Sequence, residues 1–108
     1  MPRDINMASN VTLGNPNGFP VTINIPVDQN PGNNYNVDYL LDGNILKRQQ
    51  FDASANLTGE TSVTRFVVTD NTTFESIASG LYNLTLRATL GEETVTVDYE
   101  MKSRLNID

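Results

Sequence analysis

Histidine, cysteine and tryptophan are all absent from the 108 residues of this chain. Histidine is the usual general base near neutral pH, a common zinc ligand and the partner that activates serine or cysteine nucleophiles. Without it, catalysis would rest on carboxylates, lysine or tyrosine, so the sequence reads as non-enzymatic, with no catalytic residue and no cofactor. Without cysteine no disulfide can staple the fold, and neither an oxidising nor a reducing compartment is required. Positive charge is also scarce: seven Lys and Arg stand against 13 Asp and Glu, a formal net charge of −6. The seven are scattered, and Lys47-Arg48 is their one adjacent pair. Nucleic acid and anionic lipid need clustered cations, so neither is expected as a partner. No apolar run approaches the length that spans a bilayer, and no basic-then-apolar leader follows Met1. The start Met1-Pro2-Arg3-Asp4 fits a native cytoplasmic beginning or a start joined to an excised domain.

What the chain does have is alternation. Tyr82, Leu84, Leu86, Ala88 and Leu90 share one parity, and after Gly91-Glu92-Glu93 the residues Val95, Val97, Tyr99 and Met101 share another. Successive strand residues face opposite ways, so each run predicts one buried and one solvated face, joined as a hairpin. The same pattern predicts strands over 5–13, 21–27, 35–41, 45–51 and 62–69. Pro26 is expected at a strand end or on an unpaired edge, because it has no N–H to donate. Asp42-Gly43-Asn44 reads as a tight turn, and 70–79 as a segment with a single helical turn, since Phe74 and Ile77 lie three apart. One domain fits this length. The reading is therefore an all-β chain, a sandwich of about seven antiparallel strands spanning 1–108, with 1–10 and 102–108 as terminal arms.

Residue order adds a resemblance. Phe66-Val67-Val68 followed by Phe74-x-x-Ile77-x-x-Gly80-x-Tyr82-x-Leu84-x-Leu86 resembles the E–F corner of immunoglobulin-like domains. Tyr35-x-Val37-x-Tyr39-x-x-Asp42-Gly43 looks like strand C and the tight turn after it. The resemblance implies an immunoglobulin-like β-sandwich, with Tyr82 as a tyrosine corner whose hydroxyl bonds backbone in the 69–79 segment. The chain lacks the family's cysteine pair and its strand-C tryptophan, where Tyr39 is the nearest aromatic. It is thus similar to the cysteine-free immunoglobulin-like and fibronectin type III-like modules of bacterial surface proteins and tailed-phage virions. Such modules imply scaffold and adhesion roles rather than chemistry.

Other motifs have plain readings. Four Asn-x-Thr sequons, at Asn10, Asn56, Asn71 and Asn83, are expected by coincidence in a chain rich in both residues. Asp28, Asn30, Asp42, Asn44, Asp70 and Asn71 put oxygen donors in loops, but without the dense acidic spacing of a calcium site, so no metal is expected. Asp38, Asp98 and Glu100 fall on outward parities, and Glu92 and Glu93 in the hairpin turn, so the set reads as a solvated face rather than as paired catalytic carboxylates. Tyr35, Tyr39, Tyr82 and Tyr99 all fall on inward parities and read as core rather than as a carbohydrate platform.

The termini lack so simple an account. Beyond Met101 the apolar row runs on through Leu105 and Ile107, and Ile5 and Met7 precede the first clear strand. A strand that long outruns a sandwich of this size. Ile5, Met7, Leu105 and Ile107 are therefore the candidate partner interface, docking on a neighbouring subunit by strand addition or as clamp arms. The expected function is a non-enzymatic structural or binding module, in the first instance a tailed-bacteriophage capsid decoration (cement) protein on the virion surface. Its partners would be the major capsid protein, another virion protein or neighbouring copies of itself as a homo-oligomer. The alternative is an adhesion or spacer domain of a bacterial cell-surface or secreted protein.

Overall fold

A computed structural model describes residues 1–15, 17–26 and 34–103, apart from the side chain of Pro2. Its elements are helix α1 (Pro2–Met7) and strands β1 (Asn10–Gly14), β2 (Gly18–Ile25), β3 (Tyr35–Asp42), β4 (Ile45–Phe51), β5 (Leu57–Thr64), β6 (Thr73–Ala78), β7 (Leu81–Leu90) and β8 (Glu93–Lys102). A 3-10 turn, Thr69–Asn71, lies before β6. The strands form two antiparallel sheets, one of five in the order β1-β2-β3-β4-β5 and one of three in the order β6-β7-β8.

The two-layer, all-β sandwich is the architecture that alternation requires, because each sheet has an apolar face to cover. Val21, Ile23 and Ile25 of β2, Val37 and Tyr39 of β3 and Leu46 of β4 supply one inner face. Phe74, Tyr82, Leu84 and Met101 supply the other. Phe74 stands edge-on to Phe19 with ring centroids 6.4 Å apart and stacks on Tyr82 at 5.6 Å, which ties the layers together. Neighbouring strands within each sheet are consecutive in sequence, so both sheets are meanders. The two-sheet layering is compatible with an immunoglobulin-like fold, whereas the connectivity differs from the Greek key by which that family passes strands between sheets.

The N-terminal arm does not enter a sheet as a strand over 5–13. Residues 2–7 form α1, and the strand begins only at Asn10. Proline in the first turn gives up no hydrogen bond there, and Asp4 in that turn complements the helix dipole. Ala8 returns the backbone to extended geometry. The three-stranded layer is narrower than the sheet it faces, and α1 fills part of the difference. It touches both β2 and β8 and buries Ile5 and Ala8 completely.

A second difference lies between 52 and 80. The strand expected at 62–69 is β5, displaced to Leu57–Thr64. Phe66 then takes a left-handed backbone with φ 62°, and the chain crosses to the other layer, where Val67 bridges Ala88. The helical turn forms at Thr69–Asn71, and the next residues make an eighth strand, β6. Phe74 and Ile77 are therefore strand residues, one buried and one exposed, rather than neighbours on a helical face. Pro26 follows the end of β2 as expected, and Pro20 falls where the β1–β2 register slips, so neither removes a ladder bond. Gly18 has φ +92° beside the Phe74 carbonyl, a position with no room for a Cβ.

Candidate functional site

The β7–β8 hairpin pairs in unbroken register from Leu81↔Lys102 to Leu90↔Glu93. Facing residues in an antiparallel pair project to the same side, so its two faces can be read from the pairs. Leu84↔Tyr99, Leu86↔Val97 and Ala88↔Val95 lie on one side, with Asn83↔Glu100, Thr85↔Asp98 and Arg87↔Thr96 on the other. The base of the apolar side enters the core through Tyr82, Leu84 and Met101. Farther out the cover ends. Tyr99 is 45% exposed, Val97 36%, Val95 55% and Leu90 70%. Between β5 and β8 an apolar cleft opens, lined by Met1, Leu46, Val63, Leu84, Leu86 and Tyr99, with Val63 itself exposed.

Contiguous apolar surface on a chain of net charge −6 is the feature here that asks for a partner. The strand bearing it is also an edge, with backbone donors and acceptors unpaired along one side. On the polar side Thr85 Oγ1 donates to Asp98 Oδ1 at 2.7 Å, which fixes that carboxylate against the hairpin.

A second cluster joins α1 to the large sheet. Tyr39 and Arg48 are cross-strand partners on the inner face of β3 and β4. The Tyr39 hydroxyl donates to Asp4 Oδ2, and Arg48 donates through Nε to Oδ2 at 2.9 Å and through a terminal nitrogen to Oδ1 at 3.2 Å. Burial works to raise the Asp4 pKa, but the bonds from Arg48 and Tyr39 and the guanidinium charge outweigh it, leaving the carboxyl below its usual range. Burial, with the Asp4 bond and charge behind it, pushes the Tyr39 phenol upward. Asp4, Tyr39 and Arg48 satisfy one another, which suits an anchor for α1 better than a reactive centre. Burial also lowers the pKa of the Met1 amine, partly opposed by Asp4.

Of the four residues expected to bind a partner, two are described. Ile5 is wholly buried in the chain's own core and offers no surface, while Met7 on the same helix is 38% exposed. Leu105 and Ile107 lie outside the described residues. Neither Ile5 nor Met7 lies on the described hairpin face.

Tyr82 is buried as expected, but no hydrogen bond joins its hydroxyl to the 69–79 segment, so no tyrosine corner forms. Its ring is held by stacking on Phe74, and burial raises the pKa of its phenol. Thr72 makes the bonds instead. Fully buried, it donates through Oγ1 to the Val68 carbonyl at 2.8 Å and accepts from the Arg87 N–H at 3.1 Å. The residues missed at the exposed face, Val95, Val97 and Tyr99, have the expected parity but no covering layer. The clue was the length of the two runs, since ten-residue strands outreach the narrower elements that would lie over them.

Of the loop oxygens considered for calcium, Asp28 and Asn30 lie outside the described residues, and Asp42 is paired with Lys47 at 2.8 Å. Among the described residues no three His, Cys, Asp or Glu side chains converge as a metal site. No family model, curated protein or solved structure matches this chain.

Proposed function

We propose that this protein is a non-enzymatic structural module that docks on a protein neighbour within a larger assembly through the uncovered apolar face of its β7–β8 hairpin. The observation that carries the reading is the exposure of Leu90 of β7 and of Val95, Val97 and Tyr99 of the edge strand β8 on one face of a regular hairpin. Burying such side chains at an interface is worth about 1.5–3 kcal/mol each, enough for a few of them to hold a small domain in place. Asp4 and Tyr39, two of the three most buried ionisable groups among the described residues, are spent on anchoring α1, which supports a role without chemistry.

The setting we favour is the surface of a tailed-phage virion, with the chain as an immunoglobulin-like capsid decoration protein bound to the major capsid protein, another virion protein or neighbouring subunits. Its support is the cysteine-free, two-layer sandwich. An adhesion or spacer domain of a bacterial surface or secreted protein is the alternative.

The test is co-expression with the products of the genes that adjoin it, followed by particle sedimentation. The wild-type chain should sediment with the particles. A variant with Val95→Lys and Val97→Lys, equally folded by circular dichroism, should stay in the soluble fraction. Equal sedimentation of both, or of neither, would refute the reading.

A further inference from the structure

The two layers differ in width. β6 lies against β2, with Phe74 beside Phe19, so a layer of three strands that begins there reaches β4 and stops short of β5. Accordingly, seven of the eight residues of β5 are exposed, on both of its faces. The gap beside β8 and over β5 is one strand wide. The chain itself closes one end of it, where Met101 and Ser103 are buried and Ser103 Oγ donates to the Ala8 carbonyl at 3.0 Å. From Glu93 to Glu100 every residue of β8 is exposed. The apolar cleft between Val63 and Tyr99 opens into this gap with a volume of about 170 Å³, well short of the roughly 300–1,000 Å³ of a small-molecule pocket.

We propose that an extended, basic segment of the protein neighbour enters this gap as a fourth strand of the small sheet, pairing with β8 along Glu93–Glu100. The proposal rests on the reading of the hairpin face as a docking surface and names what docks there. Ser103 donates its backbone N–H to Gly80, toward β7, so odd-numbered residues of β8 direct their backbone bonds to β7. Thr94, Thr96, Asp98 and Glu100 then direct theirs to the open edge, and among the described residues no backbone hydrogen bond outside the β7 ladder reaches this stretch. The edges β1, β5 and β6 each carry a register shift, and bulged edges discourage pairing with another chain. β8 keeps register with β7 over all ten of its residues and contains no proline.

The chemistry of the incoming strand follows from alternation. Its side chains opposite Val95, Val97 and Tyr99 turn inward over the cleft and β5, where apolar groups belong. Those opposite Thr96, Asp98 and Glu100 share the outer face with two exposed carboxylates, where like charge is repelled and lysine or arginine is favoured. A second copy of this chain does not fit, because its β8 brings the same acids and its β5 would claim the same one-strand gap.

The probe is a capped peptide of alternating valine and lysine, as long as Glu93–Glu100, titrated calorimetrically into the 108-residue chain. Binding should be saturable, and amide hydrogen exchange should slow at Thr94, Thr96, Asp98 and Glu100 more than at the odd residues between them. The same peptide with glutamate for lysine should bind about ten-fold more weakly or worse, and Asp98→Lys with Glu100→Lys should reverse the preference. Thr96→Pro removes a donor that faces the open edge and spares the β7 ladder, so this variant should fold as wild type does and bind about ten-fold more weakly or worse. Binding of the lysine peptide no tighter than about 1 mM overturns the proposal, as does indifference to peptide charge, protection elsewhere on the chain, or a folded Thr96→Pro that binds like wild type. Particle association lost on Val95→Lys with Val97→Lys but kept on Thr96→Pro would refute the added strand and leave the docking face standing. Association indifferent to all of these changes would end both readings.

Discussion

Replacing Asp4 by asparagine keeps the shape of the residue that anchors α1 and removes its charge. The Asp4 side chain is 10% exposed and that of Arg48 27%, so the pair is partly desolvated. Removing one partner of a fully buried pair costs about 3–5 kcal/mol, and the access of water to Arg48 reduces that to about 2–3 kcal/mol here. In a domain of this size each kcal/mol moves Tm by roughly 4–8 °C, so Asp4→Asn should melt about 8–24 °C below wild type at neutral pH. The pH dependence tests the cause. The folded-state pKa of Asp4 lies below its unfolded value of 3.8, so its contribution is fully present above that value and is lost as pH falls through the folded one. Asparagine has no such proton to bind. Urea titrations of both proteins at about pH 7 and again near pH 2.5 should therefore show a gap that narrows in acid. A gap below about 0.5 kcal/mol at neutral pH, or one unchanged by acid, would refute the argument.

Other substitutions probe the rest of the fold. Thr72→Val keeps the volume but strands the Arg87 N–H and leaves the Val68 carbonyl with the Asn71 N–H alone, so it should cost about 1–3 kcal/mol by denaturant titration, while Tyr82→Phe should stay within about 0.5 kcal/mol. Leu84→Ala should cost about 2–5 kcal/mol and Val97→Ala less than about 1 kcal/mol, because the first is buried and the second is not; equal losses would mean that the hairpin face is covered in the monomer. Gly18→Ala drives a Cβ into the Phe74 carbonyl at a φ that alanine avoids, and thermal melting should show a loss of about 3 kcal/mol or more.

Parity was legible because period-two alternation is a local property of the chain. It placed Val21, Ile23, Val37, Tyr39, Leu84 and Met101 on the side that is buried. Coverage was not legible, since whether Val95 and Val97 meet a facing layer depends on how far other elements extend over them. For the same reason α1 escaped notice. Ile5 and Met7 alternate as a strand does, and the competing cues, Pro2 and Asp4, gain their force from Tyr39 and Arg48, more than thirty residues away. The hydroxyl assigned to Tyr82 could not be told from that of Thr72 by sequence, since both lie near the same crossing and only the path of the chain decides which one is within reach.

The meander order of both sheets has a kinetic consequence. Almost every strand pairs with its neighbour in sequence, so each ladder closes across a short connection and the loop entropy lost at each step is small. Sandwiches that pass strands between sheets must close long loops before their pairings reward them. Here the described hydrogen bond of longest range is that from Ser103 Oγ to the Ala8 carbonyl, which spans 95 residues, and the next is that from the Phe74 N–H to the Asn17 carbonyl. Chain order thus implies two locally assembled sheets that meet early, with the helix and the end of β8 fastened across them as the closing event, at a rate faster than is usual for an all-β domain of this length.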